Sequence, residues 1–177
     1  LPLGPTSYGD SPYQSFSSFA GNPYFISLDD LVEDGYLTRE DCTSCDFGDN
    51  EEYVDYEKLY KNRFILLRKA YENSHIKDNV EFQSFVLENK DWLDNYALYM
   101  AVKTHFNNTC WVEWDEDIKL RKPEAVARYQ KELEDEICFY EFQQVTFLKQ
   151  WKALKEYAHS KDIQIIGDIP IYVAFDS

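Results

Sequence analysis

Hydrophobic positions recur with helical spacing over most of the middle of the chain. Leu59, Phe64, Leu67 and Tyr71 fall near one face of a segment that Asp55 can cap, and Asn79 is placed to cap a second through Phe82, Phe85 and Val86. A third runs from about Trp92 to Phe106, where Leu93, Ala97, Met100 and Ala101 keep the i, i+4, i+7, i+8 spacing of a packed face. Pro123 stands at the first-turn position of a pattern that stays helical almost to Lys161. In it Leu133, Ile137, Tyr140, Phe147, Leu148, Trp151, Leu154 and Ala158 share one stripe, while Phe139, Phe142 and Val145 lie off it. A helix apolar on more than one side must be covered by other structure.

The two ends of the chain have a different grain. Tyr24–Leu28 is a short apolar run that predicts a strand, followed by a brief helical turn that Gly35 stops, and Thr38–Tyr53 is acidic, aperiodic and predicts a surface loop. Near the other end Ile163, Ile165 and Ile166 form a nearly continuous β-branched run, as in a strand buried on both faces of a parallel sheet. Gly167, Asp168 and Pro170 break it. A helix, then a buried strand, then a carboxylate at the strand's exit is the arrangement of the active face of an α/β barrel. The opening segment Tyr8–Tyr24 is aperiodic yet carries five aromatic residues among its Gly, Pro and Ser. Pyranose rings offer flat C–H faces and hydroxyl rims that suit Tyr and Phe, and prolines with local Ser and Asp turns restrict such a loop and so lower the ordering cost of binding.

Composition narrows the classes. With 177 residues and 44% hydrophobic content the chain can bury a core of single-domain size. Its 33 acidic and 18 basic side chains leave a net charge of −15, which opposes nucleic acid and anionic membrane surfaces and leaves a neutral partner easier to accommodate. No apolar run approaches the roughly 18 residues of a membrane span, and no signal peptide is evident, so the expectation is a soluble, cytoplasmic protein. Cys42 and Cys45 form a Cys-x-x-Cys pair, but no second pair or His cluster completes a tetrahedral metal shell; with Cys110 and Cys138 they read as reduced thiols. The chain begins at Leu1 without Met and stops at Ser177, which reads as a piece of something longer.

Three blocks resemble the 4-α-glucanotransferases, also called amylomaltases or disproportionating enzymes. They are Leu1–Ser15 with Phe19–Tyr24, Phe142–Trp151 with Leu154 and Ala158, and Ile165–Ser177, which reads Ile-Ile-Gly-Asp-Ile-Pro-Ile-Tyr-Val-Ala-Phe-Asp-Ser. The resemblance extends over the whole chain, with looser matches at Thr38–Tyr53 and Thr104–Glu116. It implies an α/β fold: part of a (β/α)8 TIM-type barrel, about its first three strands, with mostly helical insertions. Leu1–Leu3 would close the first strand, the run near Phe25 the second, and Ile163–Asp168 the third. Residues 1–177 would be one partial catalytic-barrel domain, with 29–122 a helical insertion and 163–177 the third strand and the loop after it.

The implied activity is transfer of α-1,4-glucan segments between maltooligosaccharides, or from starch or glycogen, by a retaining double displacement with two carboxylates about 5–5.5 Å apart. In the family the nucleophilic Asp, the acid/base Glu and a further Asp follow the Gly-Asp-Ile-Pro-Ile block, so the resemblance puts no catalytic residue, and neither metal nor cofactor, in this chain. It places Tyr13 against a sugar near the cleaved bond, the Ser11 hydroxyl nearby, Tyr8 farther out along the glucan, and Asp168 as the first glucan-site aspartate. Against these stand plainer readings: tyrosines that cover the core, and an Asp168 that only forms a turn. Asp176 and Ser177 also match and read as loop or cap residues; Trp111 and Trp114 read as packing rather than a second sugar platform, and Glu132, Glu134, Asp135 and Glu136 as a solvated helix face. Two other classes stay open, a non-catalytic carbohydrate-binding module and an acidic helical interaction protein.

Overall fold

The computed structural model of the protein describes residues 1–6, 8–50 and 52–176, with only the backbone of Tyr8 and Val173. Ser27 accepts the Asp30 N–H and starts α1 (Leu28–Glu33). α2 (Arg39–Thr43) lies inside the expected surface loop. It forms because Thr38 and Asp41 cap it reciprocally, the Asp41 N–H donating to Thr38 Oγ1 at 3.1 Å and the Thr38 N–H to Asp41 Oδ2 at 2.9 Å. α3 (Tyr56–Ser74) and α4 (Val80–Glu88) start at the expected caps, Asp55 and Asn79, each accepting the N–H three residues on. α5 (Lys90–His105) and the short α6 (Glu116–Lys119) follow.

The long helical pattern after Pro123 is divided in two. Leu133 leaves helical geometry (φ −109°, ψ 21°) between α7 (Pro123–Glu132) and α8 (Glu134–Ser160). Its N–H still donates to the Tyr129 carbonyl and its carbonyl still accepts the Ile137 N–H, so the backbone bends there without losing its ladder. At 27 residues α8 is about 40 Å long and is the spine of the structure. Its first half is buried on several sides, as the off-stripe aromatics require: Phe139, Phe142 and Phe147 join Ile26, Leu31 and Leu67 in the main core, while Tyr140 packs with Ala97 and Ala101 of α5. A second cluster joins Leu98 and Val102 to Trp114, Ile118 and Tyr129, with Trp111 half-buried beside it, so both tryptophans pack. Asp135 and Glu136 are more than solvated charges: Arg68 pairs with both, and Lys77 pairs with Asp135 at 2.7 Å.

Among the described residues the strands are β1 (Gln14–Ser15) and β2 (Tyr172–Val173), paired in parallel with Gln14 opposite Tyr172 and Ser15 opposite Val173. The strands expected at Leu1–Leu3, near Phe25 and at Ile163–Asp168 do not form here. Residues Pro23–Phe25 wind instead into a 3-10 turn, because Asn22 Oδ1 caps the Tyr24 N–H and the proline ring is preset for a first turn. Residues 163–170 run without a ladder partner, and the isoleucines expected to be buried are exposed, Ile165 by 40% and Ile166 by 92%. A strand needs a neighbour to supply its hydrogen bonds, and β-branched composition cannot replace one. No helix among the described residues is long and apolar enough to cross a membrane.

Glu141 of α8 faces a cleft of about 390 Å³ that it shares with Phe82, Asp94, Leu98 and Ile137. Burial, reinforced by the Asp94 carboxylate, pushes its pKa up to about 7. The folded state thus holds this proton more tightly than the unfolded chain does, so the associated stability is present at acid pH and is lost as pH rises through about 7. Glu141→Gln should raise the thermal midpoint at about pH 8, by about 1 kcal/mol of stability after allowing for solvent screening, and change little at about pH 4. Equal shifts at the two pH values would contradict this account.

Candidate substrate-binding site

The aromatic loop is held from beneath by side chains of α8. Gln144, fully buried, accepts the Gly21 N–H at 2.7 Å and donates to the Gly21 carbonyl at 3.1 Å. Six residues on, Gln150 does the same for Ser27, at 2.7 and 3.1 Å. Only glycine fits at position 21, since a Cβ there would lie 2.0 Å from Cδ1 of Phe147. At the other end of the loop Gly9 (φ 79°) and Asp10 (φ 51°) make a left-handed turn, in which Asp10 accepts the Thr6 hydroxyl at 2.9 Å. The buried Ser15 hydroxyl lies 2.8 Å from the carbonyls of Pro5 and Ser17, which ties both arms of the loop together.

Most of the loop's rings are committed to packing. Phe16 lies against Tyr99 (6.2 Å between ring centroids), Phe19 stacks on Trp92 (6.1 Å, 18°), and Tyr24 meets Phe64 edge-on (6.2 Å). The Tyr24 phenol is pushed far up in pKa, first by burial and then by the Asp10 charge, so it stays protonated. Phe19 stays 71% exposed even so. Tyr13 makes a polar contact instead. It is 36% exposed, and its hydroxyl donates to Asp168 Oδ2 at 3.4 Å across a gap of 155 residues. Its backbone joins the same contact, the Tyr172 N–H donating to the Tyr13 carbonyl at 3.2 Å beside the β1–β2 pair.

Of the four residues singled out in the sequence, three therefore meet. Tyr13 and Asp168 face one another, and Ser11 Oγ accepts the Tyr13 N–H at 3.4 Å. Tyr8 opens the turn Tyr8–Asp10, and its side chain lies outside the described residues, as does Ser177. At Asp168 Oδ1 accepts the Ile169 N–H at 2.9 Å, the local turn, while Oδ2 faces Tyr13. Asp176 was undervalued as a loop or cap residue. It accepts from the Trp111 N–H at 3.0 Å, pairs with Lys103 and takes the Tyr99 hydroxyl on its carbonyl. The available signal was Tyr99 and Lys103 one turn apart on α5, a charge set among apolar helix positions.

The site thus pairs an exposed phenol on the anchored loop with an exposed carboxylate on the segment before β2, groups able to hydrogen-bond a hydroxyl-bearing ligand. A sequence profile of the family described as 4-alpha-glucanotransferase matches residues 1–177. The chain belongs to that family. It is 52% identical over 177 residues to the 4-alpha-glucanotransferase of Clostridium butyricum, covering 100% of this chain and 36% of the relative, and 48% identical to that of Streptococcus pneumoniae, covering 35% of the relative. Among solved structures, the amylomaltase from Streptococcus agalactiae in complex with acarbose superposes with a TM-score of 0.93 at 44% identity, over 100% of this chain and 36% of that one. The fold is accordingly that of the corresponding part of an amylomaltase, and the chain spans about a third of the length of the relatives it matches.

The loop clamp makes its own prediction. Gln144→Leu keeps the volume but leaves both polar groups of Gly21 buried without partners, which should cost about 2–4 kcal/mol. Gln144→Glu restores only the acceptor and sets a buried charge against the Gly21 carbonyl, so it should be the worse variant at neutral pH and recover as the carboxyl protonates. Denaturant midpoints at two pH values decide it; equal behaviour of the two variants would remove the clamp from the argument.

Proposed function

We propose that the polypeptide carrying this chain is a 4-α-glucanotransferase acting on α-1,4-glucans, and that this chain supplies part of its glucan cleft. The observation that carries the reading is the meeting of Tyr13 and Asp168, 155 residues apart, on the surface where the family resemblance expects sugar. The acarbose bound by the Streptococcus agalactiae relative supports a sugar ligand for the same fold. In this reading Tyr13 packs against or hydrogen-bonds the ring near the cleaved bond, Ser11 adds a hydroxyl, and Tyr8 contacts glucan farther out. Asp168 holds sugar hydroxyls through a charged acceptor, which strengthens as the ring distorts toward its transition state.

The same reading assigns the architecture. Residues 1–177 are a partial (β/α)8 barrel domain, 29–122 its helical insertion, and 163–177 the segment that becomes its third strand, with the following loop, once further sheet supplies its ladder. The exposure of Ile166 (92%), Ile169 (70%) and Phe175 (85%) supports this, because an apolar run of that kind is stable only when further sheet and helix cover it. The carboxylates of the double displacement would come from outside residues 1–177, and the net charge of −15 suits neutral sugar over nucleic acid or an anionic membrane. A cytoplasmic location is part of the proposal.

Two measurements test it. The isolated chain should release no glucose from maltotriose above buffer, while the full-length polypeptide should; release by the isolated chain alone would refute the division of labour. In the full-length polypeptide Asp168→Asn, which keeps the turn to Ile169 but removes the charge, should lower kcat/KM by about 100-fold, about 2.7 kcal/mol. Near-normal activity with a lowered midpoint would leave Asp168 as a turn residue only. Tyr13→Ala should lose about 1–3 kcal/mol of transition-state binding, more than Tyr8→Ala.

A further inference from the structure

Lys103 of α5 is 6% exposed, the one charged residue among the buried polar side chains of the described residues. A buried ammonium is tolerated only where its hydrogens find acceptors. Lys103 Nζ pairs with Asp176 Oδ2 and reaches the carbonyls of Asn108 (3.4 Å) and Thr109 (3.3 Å). It also lies 5.5 Å from the ring centroid of Phe16. Asp176 is held on its other sides as well, by the Trp111 N–H on Oδ1 and by the Tyr99 hydroxyl on its carbonyl. The Tyr99 phenol is kept protonated, first by burial and then by the negative charge of Asp176, so it remains a donor.

These contacts close a ring around the candidate site. Phe16 follows Tyr13 by three residues and Asp176 follows Asp168 by eight, and both end on Lys103 and Tyr99. Between them the two sides also meet through the two-residue pair β1–β2, the Tyr172 N–H to Tyr13 carbonyl bond and the Tyr13 hydroxyl on Asp168. A parallel pair that short is far below the usual strand length and fixes no register unaided. A satisfied buried network has few alternative arrangements, so it can set the register that the strands cannot.

We propose that Lys103, with Tyr99 and Asp176, is a positioning residue for the glucan site: it docks the Tyr13 loop and the Asp168 segment on one point of α5 and so sets the distance between the Tyr13 hydroxyl and the Asp168 carboxylate. This rests on the function proposed above. It places a determinant of activity on a helix face that contacts no sugar.

The test is a double-mutant cycle in the full-length polypeptide, with glucose release from maltotriose as the assay. Lys103→Met keeps the stem and removes the charge. It should lower kcat/KM by about 10-fold or more, with part of the loss in kcat, and in a Tyr13→Phe background its effect should shrink to less than about 2-fold, because the hydroxyl it positions is already gone. Its effect on the thermal midpoint should be the same in both backgrounds. If Lys103→Met does not fold, Tyr99→Phe removes one hydroxyl, leaves the ion pair, and should show the same dependence on Tyr13 with a loss of about 3-fold or more. Losses that multiply in the double variants, or a lowered midpoint with unchanged kcat/KM, would overturn the positioning role while leaving the proposed function intact. A parent polypeptide without transfer activity would overturn that function first.

Discussion

The Gln144 amide and the backbone of Gly21 meet where water does not reach, and the placement of the aromatic loop depends on that meeting. A neutral primary amide is at once donor and acceptor, so one side chain can satisfy both polar groups of one loop residue. A hydroxyl is too short to do both across the same gap, and a carboxylate at neutral pH can only accept. Gln150 repeats the arrangement at Ser27, six residues on in both the helix and the loop, so the loop runs along α8 in the helix's own direction. Phe147 follows Gln144 by three residues and shares its face, and it occupies the space a side chain at position 21 would need. The glycine, the glutamines and the phenylalanine therefore form one docking surface.

With the loop fixed to α8, most of its described rings serve as support. Phe16 and Phe19 lie on α5 and Tyr24 on α3, and the Ser15 and Ser17 hydroxyls take up the backbone groups that the turns leave free. Tyr13 instead turns its hydroxyl toward Asp168. A loop already held by its anchors loses little entropy when a ligand arrives, so stiffness built for packing would also favour binding.

Much of this is written in local patterns. Asp55, Asn79 and Pro123 mark helix starts because capping is decided by a few adjacent atoms, and Phe139 and Phe142 announce a helix buried on several sides. Apart from the locally capped turns at Pro23–Phe25 and Arg39–Thr43, the failures are non-local. Ile163, Ile165 and Ile166 have strand composition, yet strands are made by neighbours. Leu133 sits within an unbroken helical pattern and still bends it. Gln143 and Gln144 are adjacent and equally buried, but only Gln144 finds partners among the described residues, a difference composition cannot express. Asp176 looks like a loop residue until α5 brings Lys103 and Tyr99 to it. At the candidate site, Tyr13 and Asp168 were legible through family resemblance, and their mutual contact was not.

At Asp168 the turn reading and the proposed binding reading do not exclude one another. A carboxylate has two oxygens, and here they are divided: Oδ1 takes the next N–H and sets the local backbone, while Oδ2 is left to face Tyr13. Holding the turn fixes the side-chain rotamer, and the fixed rotamer aims the second oxygen. Asparagine could preserve the first function, since its carbonyl oxygen can still accept the Ile169 N–H, but it would present an amide where the charge had been. The charge matters in a chain this acidic. Lys103 is already paired with Asp176, so the described partners of the Asp168 side chain are the Ile169 N–H and the Tyr13 hydroxyl. A neutral, hydroxyl-bearing ligand would add donors to such a carboxylate without bringing a competing charge, in line with the sugar ligand proposed above.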